Sequence, residues 1–370
     1  MKEMSKTELI GKRIQQARIM CKMSLDDLCE ALGKIVTKQS LSNYEKGDTV
    51  QPEHVLIGMS RVLKVSMDFF RRPFTFDINE VKMDFRKKQS ISVKEEEALK
   101  MKIQDEVEKY LSVEQLLDQR GLAASVRKPS DEVCDSAGAV SFAREVREWL
   151  KLGESAIPSV FTLMGQMGIK VISTGGPDGF DGVSGVIKGW DYVIVLNKRL
   201  DENVERRRFT VMHELGHLLM GEKISEALKP REVEKLCHAF ASEMLLPTAA
   251  LRRELADKPS LSLPDLKEIQ MTYGISADAI MKKLVDLGAI TGDAYKRYNI
   301  KKNVSEEFKE YMEESLYEEQ IPNKLQEMTY QAVMMGLMTP GKAAEILGKS
   351  EKNVVEDTEN TIKLRRWEMN

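Results

Sequence analysis

The stretch Arg207–Leu219, RRFTVMHELGHLL, decides how the central part of this chain must fold. Its apolar residues Phe209, Met212, Leu215, Leu218 and Leu219 recur at helical spacing, so the segment is read as an amphipathic helix with that stripe buried. His213 and His217 stand four residues apart, about 400° around a helix, and therefore project from one face a turn apart, where both reach a single ion. Glu214 lies about 100° round the barrel, beside that ion and not on it, where its carboxylate can take a proton from a water the ion activates. The H-E-x-x-H spacing thus supplies two zinc ligands, His213 and His217, and a general base, Glu214. The chain has four histidines in 370 residues, and three of them fall in this neighbourhood, so an accidental match is a poor explanation.

A hydrolytic zinc needs a third protein ligand and an open fourth position. The next helix, expected over Glu232–Leu246, presents Glu234, Cys237 and His238 on a common face. Glu234 is the expected third ligand, a carboxylate that makes the site gluzincin-like, and Cys237 or His238 is the rival. With Glu234 as ligand, His238 becomes the partner that hydrogen-bonds to a ligand and orients it. Glu243 faces about 180° away from Glu234, so it is assigned a capping or pairing role.

Working outward, three β-rich runs precede this helix at Ile169–Ser173, Val183–Ile187 and Tyr192–Asn197, separated by the turn-rich segments TGGPDGFDG and KGWD. They are expected to form a small antiparallel sheet. Helical patterns flank them on both sides, giving a mainly helical α+β, zincin-like domain over residues 123–300. Residues 301–370 read as a helical C-terminal region, with Met334, Met335 and Met338 as core filler. Residues 1–75 read as a five-helix bundle in which Ser24, Thr37, Gly33 and Gly47 occupy cap positions. This segment holds 13 basic and 9 acidic residues, whereas the whole chain is at −3, so any affinity for nucleic acid must be local to it. Residues 76–122 connect the two modules, with a helix expected over Lys94–Asp118, and Gly121–Ala139 reads as a hinge.

No apolar run of about 18 residues occurs, and the first residues carry charge without an apolar stretch behind them, so a cytoplasmic protein with no membrane contact is expected. The four cysteines form no CxxC and are read as reduced thiols.

FDGVSG at Phe180–Gly185, YVIVLN at Tyr192–Asn197, RRFTVMHELGHLL and EKLCHAFASEMLLP at Glu234–Pro247 together resemble the ImmA/IrrE family of HExxH metallopeptidases. The family's last signature usually has Ala-Asn or Ala-Asp where this chain has Cys237 and His238. The resemblance implies zinc-dependent hydrolysis of a peptide bond in a protein substrate, with a strand edge among residues 169–197 receiving that substrate.

TKQSLSNYEKG at Thr37–Gly47, within Leu9–Phe70, resembles the recognition-helix region of the XRE/Cro/C1-type helix-turn-helix family. That resemblance assigns Gln39 and Asn43 to base edges in the major groove, Lys38 to guanine or phosphate, and Thr37, Ser42 and Arg13 to phosphates of a double-stranded operator, bound by a homodimer. The pairing of modules is similar to transcriptional regulators whose zinc endopeptidase relieves repression by cutting a regulatory protein, either an XRE-type repressor in trans or the chain's own linker near Leu122–Ala139. Two other readings are a non-enzymatic helix-turn-helix regulator whose zincin-like domain senses a metal, ligand or partner, and a toxin-antitoxin or stress-response component.

Overall fold

Ser5 opens the first helix by accepting the Glu8 amide while Glu8 reaches back to the Ser5 amide, and Ser24 with Asp27 repeats the arrangement one helix later. The computed structural model describes residues 4–76, 82–83, 91–118, 126–187, 191–256, 261–315, 317–319, 321 and 323–368. The N-terminal module comprises α1 (Lys6–Met20), α2 (Leu25–Ala31), α3 (Lys38–Lys46) and α4 (Glu53–Leu63), closed by a 3₁₀ turn at Phe69–Arg71. Four helices and that turn are the five elements expected. Thr37 caps α3 through the Ser40 amide, and Ile14, Ala17, Leu28, Leu41, Met59 and Phe70 form its solvent-free centre.

A short strand, β1 (Lys82–Met83), precedes the 24-residue helix α5 (Val93–Leu116), which the Ser92–Glu95 capping box begins. Then come α6 (Ser136–Trp149), α7 (Val160–Gln166), β2 (Lys170–Thr174), β3 (Gly182–Ile187) and β4 (Asp191–Asn197). The hinge expected up to Ala139 ends earlier, because Asp135 caps α6 by accepting the Gly138 amide. Val133, within the same stretch, is buried and hydrogen-bonded through its backbone to Lys223 and Ser225.

The sheet has strand order β1-β3-β4-β2 and is mixed, which corrects the purely antiparallel expectation. β3 and β4 pair antiparallel, with Val183 opposite Val195, but β2 pairs parallel to β4, with Ile172 opposite Val195. The physical cause is the connection after β2. The glycine-rich segment that follows it is long enough to carry the chain past one strand position, and β4 then returns into the gap.

As the inner strand, β4 is buried on both faces, which is why Val193, Ile194, Val195 and Leu196 form an unbroken apolar run. Ile194 and Leu196 face the main core, and Val193 and Val195 face α5. The main core lies under α8 (Val204–Met220) and α9 (Pro230–Leu245) and extends into α10 (Thr248–Leu255), α11 (Leu263–Tyr273) and α12 (Ala277–Asp286). Helices α13 (Gly292–Val304) and α14 (Glu306–Glu313) cover its far side. The C-terminal region, α15 (Lys324–Met334), α16 (Pro340–Leu347) and α17 (Glu351–Glu368), returns to α5, where Met328 and Ile346 join the cluster on the outer face of the sheet. Met338 packs there as expected, whereas Met335 is 58% exposed and is not core.

α5 is therefore a shared support. It touches the sheet on one side, the C-terminal helices on another, and α1 through Gln16, whose side-chain amide donates to the Met101 carbonyl. Glu345 and Lys342 of α16 reach Ser66 and Asp68 of the N-terminal module.

Candidate metal centre and nucleic-acid face

Two glycines allow the elements of the site to approach one another. A Cβ on Gly182 in β3 would lie 2.8 Å from the Thr210 methyl and 3.2 Å from Glu214 Cγ, so the bare backbone lets α8 lie directly on the sheet. A Cβ on Gly216 would lie 3.1 Å from the Phe240 ring, so the glycine inside HELGH lets α9 close on α8. Arg208 fixes the first half of α8. Its guanidinium is wholly buried, donates to the carbonyls of Gly274 and Ile157, pairs with Glu319 at 2.7 Å and lies over the Tyr317 ring.

On this scaffold the two imidazoles converge. His213 Nε2 and His217 Nε2 are 3.1 Å apart, and the Glu234 carboxylate comes within 3.1 Å of the first and 3.4 Å of the second. A tetrahedral zinc site with bonds of about 2.0–2.1 Å has donor-to-donor edges of roughly 3.3–3.4 Å, so the spacing of these three donors fits that ion. Burial works to raise the Glu234 pKa, but hydrogen bonds from His213 and His217 outweigh it and hold the carboxyl well below the usual range. The Nδ1 atom of His213 is buried with no hydrogen-bond partner among the described residues.

Glu214 is buried, and its Oε2 accepts the Ser184 hydroxyl at 3.0 Å. Ser184 was not singled out from the sequence, although it lies within the FDGVSG stretch. Cys237, proposed as a rival ligand, is solvent-free and sits behind His217, its sulfur 3.2 Å from Nδ1. That is the side of the ring remote from the converging Nε2 atoms, so Cys237 supports a candidate ligand and lies outside the donor set. His238 keeps an exposed face but stands over the His213 ring at 4.7 Å between centroids. One ligand atom from each of His238, His213 and Glu234 lies within 4.8 Å of the other two. Desolvation by the surrounding protein, and then the neighbouring His213, push the His238 pKa down to about 4.

Glu243 has the structural role expected of it. Its carboxylate pairs with Lys283 at 2.7 Å and accepts the Thr248 amide and hydroxyl as well as the Arg144 guanidinium. Burial pushes its pKa up, but Lys283 and these hydrogen bonds bring it down to about 2.

In the N-terminal module, Lys38 and Gln39 are exposed at the start of α3. Lys38 pairs with exposed Asp26 at 2.6 Å, and Gln39 donates to Asn43 at 3.0 Å, so the amide pair is already aligned on one face. Thr37 is occupied as the cap of α3, and Ser42 is half-buried. Arg13 requires correction, because it lies on no phosphate-facing surface. Its side chain is 0% exposed, forms a 2.8 Å ion pair with Glu108 of α5, donates to the carbonyls of Arg72 and Pro73 and stacks on Phe74.

Comparison with known families gives two matches. Residues 164–285 match the IrrE N-terminal-like domain of the M78 peptidase family, and residues 14–70 match the helix-turn-helix family. No curated protein matches the chain. No helix among the described residues is long and apolar enough to cross a membrane. The first match spans α8, α9 and all three strands of the site, the second spans α2, α3 and α4, and the chain thus carries a helix-turn-helix DNA-binding domain and an IrrE N-terminal-like peptidase-family domain.

Proposed function

We propose that this protein is a DNA-binding transcriptional regulator whose second domain is a zinc-dependent endopeptidase, cutting a regulatory protein that works at the same DNA. The observation that carries the reading is the division of labour between neighbours on α8. His213 and His217 converge with Glu234, whereas the carboxylate of Glu214 between them in sequence accepts the Ser184 hydroxyl. A site serving only to brace the fold would need no carboxylate kept out of the donor set.

His213, His217 and Glu234 would hold the ion, which when bound supplies Lewis acidity and makes water a nucleophile near neutral pH. Glu214 accepts the proton of the attacking water and later delivers it to the leaving amine, and the Ser184 hydroxyl keeps the carboxylate aimed. The substrate enters as an extended segment added at a strand edge among residues 169–197.

The helix-turn-helix domain holds the peptidase near proteins bound to the same DNA, which raises their effective concentration. A repressor in trans suits the structure better than the chain's own linker. α5 is a continuous packed helix, and the linker candidate 122–139 is tied down at Val133, residues 122–125 of it lying outside the described residues. Dimerisation on a two-fold operator and a cytoplasmic location complete the proposal.

The test is a comparison of cells expressing the wild type with cells expressing Glu214→Gln. A protein fragment that appears only with the wild type identifies the substrate. Identical proteomes under inducing conditions would reject the peptidase reading.

A further inference from the structure

Two helices each contribute a pair of donors four residues apart. α8 presents His213 and His217, and α9 presents Glu234 and His238. Residues at that spacing share a helix face, so crossing two such helices brings four side chains to the corners of one small volume. Three of the four make up the triad described above. The fourth, His238, lies as near to His213 as His217 does, the ring centroids being 4.7 Å apart in both pairs, with the His238 ring tilted 46° to that of His213 and the His217 ring edge-on to it at 80°. One ligand atom of His238 lies within 4.8 Å of one from each of His213 and Glu234.

We infer that His238 is a fourth protein ligand of the metal, giving the centre a closed resting state with three imidazoles and one carboxylate. This rests on the zinc-peptidase reading above and adds a control step to it. With all four positions held by protein, the site has the closed arrangement of a structural centre, leaving no position for water or for a substrate carbonyl. Glu214 then has no proton to accept. The centre becomes competent when the imidazole swings off, a side-chain rotation for which its exposed face leaves room. His213, His217 and Glu234 would go on holding the ion, leaving one position for solvent or substrate. A substrate segment arriving at the site, or a partner bound over the exposed side of α9, would be the event that drives His238 out.

The experiment is X-ray absorption at the zinc edge on the full-length, zinc-loaded protein, comparing wild type with His238→Ala. The wild type should fit three imidazoles, and the variant should fit two with an additional oxygen. In chelator competition the variant should release zinc more readily by at least about tenfold, the scale on which even outer-sphere partners of a metal ligand act. Acetohydroxamate, a probe that needs a free coordination position, should bind the variant more tightly than the wild type. Two imidazoles in the wild type, or the same count in both proteins, would overturn the inference and leave the peptidase reading standing. Wild-type protein that takes up no stoichiometric zinc would overturn both. The wild-type measurement decides the matter whether or not the variant folds.

Discussion

The Arg13 guanidinium and the Glu108 carboxylate meet at 2.8 Å with both side chains out of solvent, so the DNA-binding module and the long helix α5 share one interior. Burial pushes the Arg13 pKa down and the Glu108 pKa up, each against the pull of its partner. Desolvation at both ends means that such a pair fixes geometry more than it adds net stability, and that removing one member strands the other.

Arg13→Met is therefore expected to destabilise the folded chain by about 3 kcal/mol, chiefly by leaving Glu108 without its nearest cation. Urea unfolding followed by circular dichroism measures this. An unchanged midpoint combined with weaker DNA binding would restore Arg13 to the phosphate-contacting role assigned from sequence.

Replacing both Gln39 and Asn43 with alanine should abolish discrimination between operator and random DNA. The loss is about 1–3 kcal/mol for each bidentate base contact removed, with little change in the salt dependence set by phosphate contacts. Footprinting over a range of salt concentrations separates the two effects, and retained discrimination would move the reading surface away from α3.

Ser184→Ala removes the hydroxyl that Glu214 accepts. A hydrogen bond to a charged group contributes about 1.5–3 kcal/mol, so kcat on the substrate identified with Glu214→Gln should fall by at least about tenfold while KM holds. A change in KM alone would make Ser184 a substrate contact.

Cys237→Ala takes away the partner of His217 Nδ1 and should weaken zinc binding by about tenfold, with Cys237→Ser recovering part of the loss. Chelator competition reads both variants. Zinc affinity unaltered in Cys237→Ala would show that the thiol only fills space.

Glu243 titrates from an ordinary value of 4.5 down to about 2 in the folded chain. A depressed carboxyl stabilises the fold at every pH above its unfolded value, and that contribution is lost as pH falls through the folded value. The melting temperature of Glu243→Gln should lie well below that of the wild type at pH 7, and the gap should narrow between about pH 4.5 and pH 2. A gap that stays constant across that window would remove the charge of Glu243 from the account.

Much of the molecule was legible because its signals are local. Helix caps at Ser24 and Thr37 act within four residues, so side-chain chemistry alone marks where α2 and α3 begin. The spacing of His213 and His217 fixes their common face for the same reason, since a helix allows residues four apart no other relation. The unbroken apolar run of β4 revealed a strand, and its burial on both faces follows from the same residues.

What the sequence by itself determined is therefore the set of elements, the candidate base Glu214 and the candidate ligands His213, His217 and Glu234. The tertiary structure alone decided how those elements meet. Strand propensity does not encode direction, so only the filling of the gap beside β2 made one pairing parallel. A basic side chain such as Arg13 suits a phosphate and a buried carboxylate equally well until a distant helix supplies Glu108. Ser184 and Cys237 are ordinary residues whose partners, Glu214 and His217, come from other elements of the fold. Those contacts depend on the close approach that Gly182 and Gly216 permit, and interhelical distance is set by the packing of whole elements, not by any local run of residues.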